Sequence, residues 1–197
     1  MDHMKVLAFL FLTFLTFYIF ADSWMPPVSI AAVDNTGHFV AKTTVGKSMG
    51  DVYGFAGADA GEYAKVKLYA YNPVMDSYKK LSEFDLRNPI SPVEVVLTDN
   101  GYIITLDNWH NMGIGEIVSV YSPDGKYKRG FSLSDFYSLD ELNQIRESVS
   151  SKWWRCDLVF YDSFKGVIVI GDYTGGTVEL NPYTGDFKKR AGTGKCE

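Results

Sequence analysis

Along most of the chain, apolar and polar residues alternate in short bursts, and each burst stops at a cluster of Gly, Asn, Asp or Pro. In the clearest burst Val66, Leu68 and Ala70 alternate with Lys65, Lys67 and Tyr69, the period of a half-buried strand. The chain then returns over residues 78–86 after the turn Pro73-Val74-Met75-Asp76. Two β-runs flank Asp34-Asn35-Thr36-Gly37, and runs 93–97 and 102–106 flank Asp99-Asn100-Gly101, whose Asn-Gly pair tolerates positive φ. Runs 117–121 and 127–133 flank Pro123-Asp124-Gly125. One stretch changes period: Leu139, Leu142, Ile145 and Val149 recur at helical spacing behind a Ser138/Glu141 capping box, which predicts a helix over about 139–149. Residues 46–62 are rich in Gly and Ala without periodicity and read as a long loop.

These bursts repeat as a unit. The turns at 34–37, 99–101 and 162–166 each separate two apolar runs, and Tyr71-Asn72-Pro73, Tyr121-Ser122-Pro123 and Leu180-Asn181-Pro182 each precede a second turn. An aromatic residue and a basic pair follow each time: Tyr78-Lys79-Lys80, Tyr127-Lys128-Arg129 and Phe187-Lys188-Lys189. Four short strands per unit is the pattern of a propeller blade. The expected fold is all-β, with three propeller-blade-like antiparallel β-meander units (about 28–86, 93–133 and 155–190) and one inserted short helix. Propellers close with about four to eight blades, so three units predict a partial propeller or packed sheets. The helix and the long loop are expected to cover its ends, with a homodimer completing a ring as the second solution.

Ahead of the units, Lys5 precedes an apolar run over residues 6–20 and then Ala21-Asp22-Ser23. The run is short for a bilayer span, and the small residues suit cleavage after Ser23, so residues 1–23 are expected to be a signal peptide. An uncleaved anchor is the alternative. A single domain over 24–197 would then lie in the periplasm or outside the cell, touching the membrane only through the signal before cleavage. Cys156 and Cys196 are the only cysteines, and an oxidising compartment makes a disulfide between them the default. The formal net charge of -5 comes with no concentrated basic stretch, which argues against a nucleic-acid partner.

Residues 88–93 (Asn88-Pro89-Ile90-Ser91-Pro92-Val93), 98–115 and 148–155 (Ser148-Val149-Ser150-Ser151-Lys152-Trp153-Trp154-Arg155), with Ala21-Asp22-Ser23-Trp24, carry a resemblance. They resemble an uncharacterised family of exported bacterial propeller-like proteins, marked by a central Asp-Asn-Trp-His motif and a Ser-Val-Ser-Ser-x-Trp-Trp motif. The resemblance spans about 88–155 and is weak over 28–86. It implies export and a propeller-like β domain, and no catalytic role.

Asp107-Asn108-Trp109-His110 is the one cluster mixing acid, amide, aromatic and imidazole, and it runs into the loop at Gly113-Ile114-Gly115. His110 would serve as a base or ligand oriented by Asp107 or Glu116. Against that, no nucleophile motif accompanies it, and the same residues would serve as a core plug and turn bonds. Trp109, Trp153, Trp154 and Arg155 suit a ligand-stacking platform, or else a seal between layers. Asp34, Asp99, Asp124, Asp162 and Asp186 sit at turns without a calcium-loop pattern, so no metal and no cofactor are expected. The basic pairs at 79–80, 128–129 and 188–189 are expected on solvated outer strands. The expectation is an exported non-enzymatic binding or scaffold module for an unknown ligand or envelope protein. A hydrolase or lyase using Asp107 and His110 is one alternative, and a structural envelope-associated protein that dimerises through sheet faces is the other.

Overall fold

A computed structural model describes residues 24–47, 62–192, 194 and 196. The expected signal peptide and all but the ends of the long loop lie outside the described residues. Among the described residues twelve strands form three four-stranded antiparallel sheets, each a meander in chain order. The first comprises β1 (Ala31–Val33), β2 (Phe39–Thr44), β3 (Lys65–Asn72) and β4 (Ser77–Asp85). The second comprises β5 (Pro92–Leu97), β6 (Ile103–Asn108), β7 (Val118–Tyr121) and β8 (Tyr127–Phe131). The third comprises β9 (Arg155–Asp162), β10 (Val167–Asp172), β11 (Thr177–Leu180) and β12 (Phe187–Arg190). The all-β class and the three repeated units stand as read from the alternation.

The second sheet is buried on both faces. Val95, Leu97, Ile103 and Tyr121 pack with Ala41, Val66, Leu68 and Leu86 of the first sheet and the chain that follows it. Ile104, Leu106, Val118 and Val120 pack with Trp154, Ile168, Ile170, Val178 and Leu180 on the other side. Sandwiching explains why β6 reads as a continuous buried run and not as an alternation. The first strands β1, β5 and β9 lie innermost and adjacent. Asn35 joins the outer two sheets by donating from Nδ2 to Tyr161 O at 3.0 Å and Ser163 Oγ at 2.8 Å.

The repeat extends to the contacts between sheets. At the first junction, Ser82 of β4 donates to Pro123 O at 2.7 Å. A Cβ on Gly125 would come within 2.6 Å of the Phe84 ring. At the second, Arg129 of β8 donates to the carbonyl of Thr184, and a Cβ on Gly185 would strike its guanidinium. In both cases the fourth strand of one sheet grips the second turn of the next, and glycine is what allows the approach. The basic pairs do lie on the fourth strands, but Arg129 and Lys189 are junction residues and not free solvated charges. Lys189 pairs with Glu141 and lies 4.4 Å over the Tyr137 ring.

The helical expectation needs correction. Among the described residues two one-turn helices occur, α1 (Leu133–Phe136) and α2 (Leu139–Leu142). The Ser138/Glu141 box forms as expected, with Ser138 N–H donating to Glu141 Oε2 at 2.8 Å. The helix nevertheless stops at Leu142, because the stripe that should have propagated it has nothing to bury against. Leu139 is 79% and Val149 is 76% exposed, while Ile145 reaches the core from non-helical backbone. A single turn has no stability of its own and persists only where tertiary contacts hold it. Together α1 and α2 cover the end of the third sheet, where Phe136 packs edge-on to Phe187 of β12 at 4.9 Å.

Candidate functional site

Asp107 sits at the end of β6 with φ +56, a left-handed conformation that aspartate tolerates better than most residues. Its side chain is fully buried and each oxygen is engaged. Oδ1 accepts from Trp154 Nε1 at 2.8 Å and from Gly113 N at 2.9 Å. Oδ2 accepts from Arg155 Nε at 2.7 Å. The Asp107 carbonyl accepts from Asn88 Nδ2 at 2.9 Å, which also bonds Asn108 Oδ1 at 2.7 Å. This carboxylate is a structural hub, tying the second sheet to the segment that enters the third.

The three residues of the catalytic alternative do not converge. Glu116 accepts from Ser119 Oγ at 2.5 Å and Tyr127 OH at 2.7 Å, and pairs with Arg87 at 3.4 Å. None of these partners touches Asp107 or His110. His110 has φ +70 and lies edge-on to Trp24, 5.6 Å between ring centroids. It makes no hydrogen bond to Asp107 or Glu116. Partial burial lowers its pKa below the usual imidazole value, favouring the neutral ring.

The stacking candidates separate into two groups. Trp154 is 0% exposed and stacks on Phe136, so it belongs to the core. Trp153, its neighbour, is 40% exposed. Trp153, Trp109 and Arg155 line one cleft of about 450 Å³ with Trp24, Met25, Val93, Met112 and Asp157. Trp24 is a wall of the cleft that the sequence does not announce. It packs at 5.5 Å from Trp109, whose Nε1 donates to Met25 O at 3.0 Å. Trp24 stands in the Ala21-Asp22-Ser23-Trp24 stretch of the resemblance, but nothing in that stretch names a structural partner.

Gly113 shapes the loop behind the cleft. It has φ +74, and a Cβ there would lie 2.3 Å from the Lys152 carbonyl, whereas Gly115 has φ +71 and open space around it. Gly115→Ala is expected to cost about 1–2 kcal/mol, the left-handed backbone penalty alone. Gly113→Ala should cost about 1–3 kcal/mol more, because overpacking adds to that penalty. Urea unfolding of both variants checks this, and equal losses would show that the 152 segment does not press on Gly113.

The turn aspartates behave as turn residues. Asp34 Oδ1 accepts from Phe39 N at 2.6 Å, and Asp162 Oδ1 accepts from Phe164 and Lys165 N–H groups, each at 3.1 Å. Among the described residues no group of three or more His, Cys, Asp or Glu is placed to hold a metal. Cys156 and Cys196 form a disulfide. No helix among the described residues is long and apolar enough to cross a membrane.

No protein-family model and no curated protein sequence matches the chain. Among solved structures, a similarity is found to one titled "Crystal structure of HIRA(644-1017)", with a TM-score of 0.36 and 9% identity. It covers 88% of this chain and 56% of that one, so the chain spans little more than half the length of the solved chain it matches.

Proposed function

We propose that the protein is a non-enzymatic binding module, exported to an oxidising compartment, which takes its ligand in the tryptophan-lined cleft. The observation that carries this is the division of labour around Asp107. The buried Asp107 carboxylate beside the cleft has its oxygens bonded to Trp154, Gly113 and Arg155, while Trp24, Trp109 and Trp153 line open space. Concave, mostly aromatic sites with a few polar groups are typical of small-ligand recognition. Export rests on the apolar leader and on the Cys156–Cys196 bond, which suits an oxidising compartment. The resemblance to exported propeller-like proteins agrees with it.

The test is a solution screen of oligosaccharides, short peptides and small organic cations, read by tryptophan fluorescence. A binder is expected whose affinity falls at least tenfold in Trp109→Ala and in Trp153→Ala, roughly what losing one stacked aromatic face costs. Circular dichroism of both variants should match the parent. Binding unchanged in both variants, or no binder in any class, would remove the cleft from consideration.

A further inference from the structure

The charge around the cleft says what kind of ligand fits it, given the binding reading above. Trp24, Trp109 and Trp153 supply aromatic walls, and Met25, Met112 and Val93 fill between them. Only two charged side chains line the space, Arg155 and Asp157, both on β9. The cation is already committed. The Arg155 side chain is 5% exposed, with Nε on Asp107 at 2.7 Å and Nη1 on Glu94 at 3.4 Å and the Cys156 carbonyl at 3.3 Å. Its charge is therefore already balanced by Asp107 and shared with Glu94, and burial leaves an incoming anion little access to it.

Asp157 is different. It is exposed, and among the described residues it has no ion pair or hydrogen bond. Asp107 neutralises Arg155, so among the side chains lining the cleft Asp157 is the one charge left without a partner. The nearby Lys152 is engaged with Glu147 at 2.7 Å, and burial disfavours the charged form of His110. Indole faces carry the negative side of an aromatic quadrupole and attract cations within about 6 Å of the ring centre. A sugar would satisfy the indole faces but would find few side-chain groups for its hydroxyls, since Arg155 is buried against Asp107 and Asp157 is the one other polar side chain lining the space.

We infer that the cleft takes a small organic cation, a quaternary or alkyl ammonium head seated between Trp24, Trp109 and Trp153 with Asp157 as its counter-charge. Recognition is by cation–π contact inside and a single carboxylate at the rim, so binding is salt-sensitive. The volume of about 450 Å³ admits a head group with a short tail.

The experiment titrates the whole protein, by tryptophan fluorescence and calorimetry, with choline, its neutral isostere 3,3-dimethylbutan-1-ol, and chitobiose. Choline is expected to bind at least tenfold more tightly than the isostere and to weaken as sodium chloride rises. Asp157→Asn should weaken choline several-fold while leaving the isostere unchanged, and Trp153→Ala should weaken both. Equal binding of choline and isostere overturns the cation assignment. Chitobiose binding lost in Trp109→Ala overturns it too, while leaving the cleft as a binding site. If none of the three probes perturbs the indole signals, the cation assignment fails, and the broader screen described above then decides whether the cleft binds at all.

Discussion

Asp107→Ala is expected to lower the unfolding free energy by about 3–5 kcal/mol, the range for removing one partner of a buried ion pair. The loss comes from what stays behind. Arg155 keeps a buried charge facing only Glu94 at 3.4 Å, and the Trp154 indole N–H and Gly113 N–H lose their acceptor inside the core. For a domain of this size that corresponds to a fall in melting temperature of roughly 6–20 °C. Arg155→Met in the same background should restore part of the loss, because it removes the stranded charge while keeping the stem packed. A coupling of about 0.5–3 kcal/mol between the two sites is the expected outcome of the cycle. An Asp107→Ala protein within about 1 kcal/mol of the parent would mean that Asp107 is not the hub the hydrogen bonds describe.

The second large effect is expected from the Cys156–Cys196 bond. It closes a loop with a sequence separation of 40, for which the chain-entropy argument gives about 4 kcal/mol. Domains are stable by only about 5–15 kcal/mol, so a reducing agent should lower the unfolding midpoint markedly. The Cys156→Ser/Cys196→Ser protein should match the reduced parent and not respond to reductant. The effect is local as well as global. Cys156 lies between the cleft residues Arg155 and Asp157, beside the register shift where β9 meets β10 between Ile170 and Asp172. A midpoint that ignores both reductant and the double substitution would show that the C-terminal tail constrains nothing.

Much of the architecture was legible because it depends on local rules. Alternation such as Val66/Leu68 against Lys65/Lys67 gives a strand wherever a single face is buried, and Asn100-Gly101 gives a turn because Gly101 takes φ +75 there. The three-fold repeat was legible for the same reason, since each unit needs the same turns at the same places. The helix was over-read. Ser138 and Glu141 correctly marked its start, but its length depended on a partner for Leu139 and Val149 that the fold does not supply.

The candidate site was half legible. Asp107, Trp109 and Arg155 announced themselves as unusual residues in unusual places, yet the roles they take were decided elsewhere. Trp153 and Trp154 are neighbours in the chain, and one faces the cleft while the other fills the core; composition gives no reason to choose between them. Trp24 reaches the cleft through Met25, 84 residues from the indole that donates to its carbonyl.

What the sequence determined by itself is therefore the set of strands, their turns and the repeat, because hydrophobic period and turn chemistry act over a few residues. What only the tertiary structure decided is which polar groups are consumed in holding the sheets together and which are left facing the cleft. Burial and hydrogen-bond partnership are properties of distant segments brought into contact, and Asp107, spent on Trp154, Gly113 and Arg155, is where that distinction is sharpest.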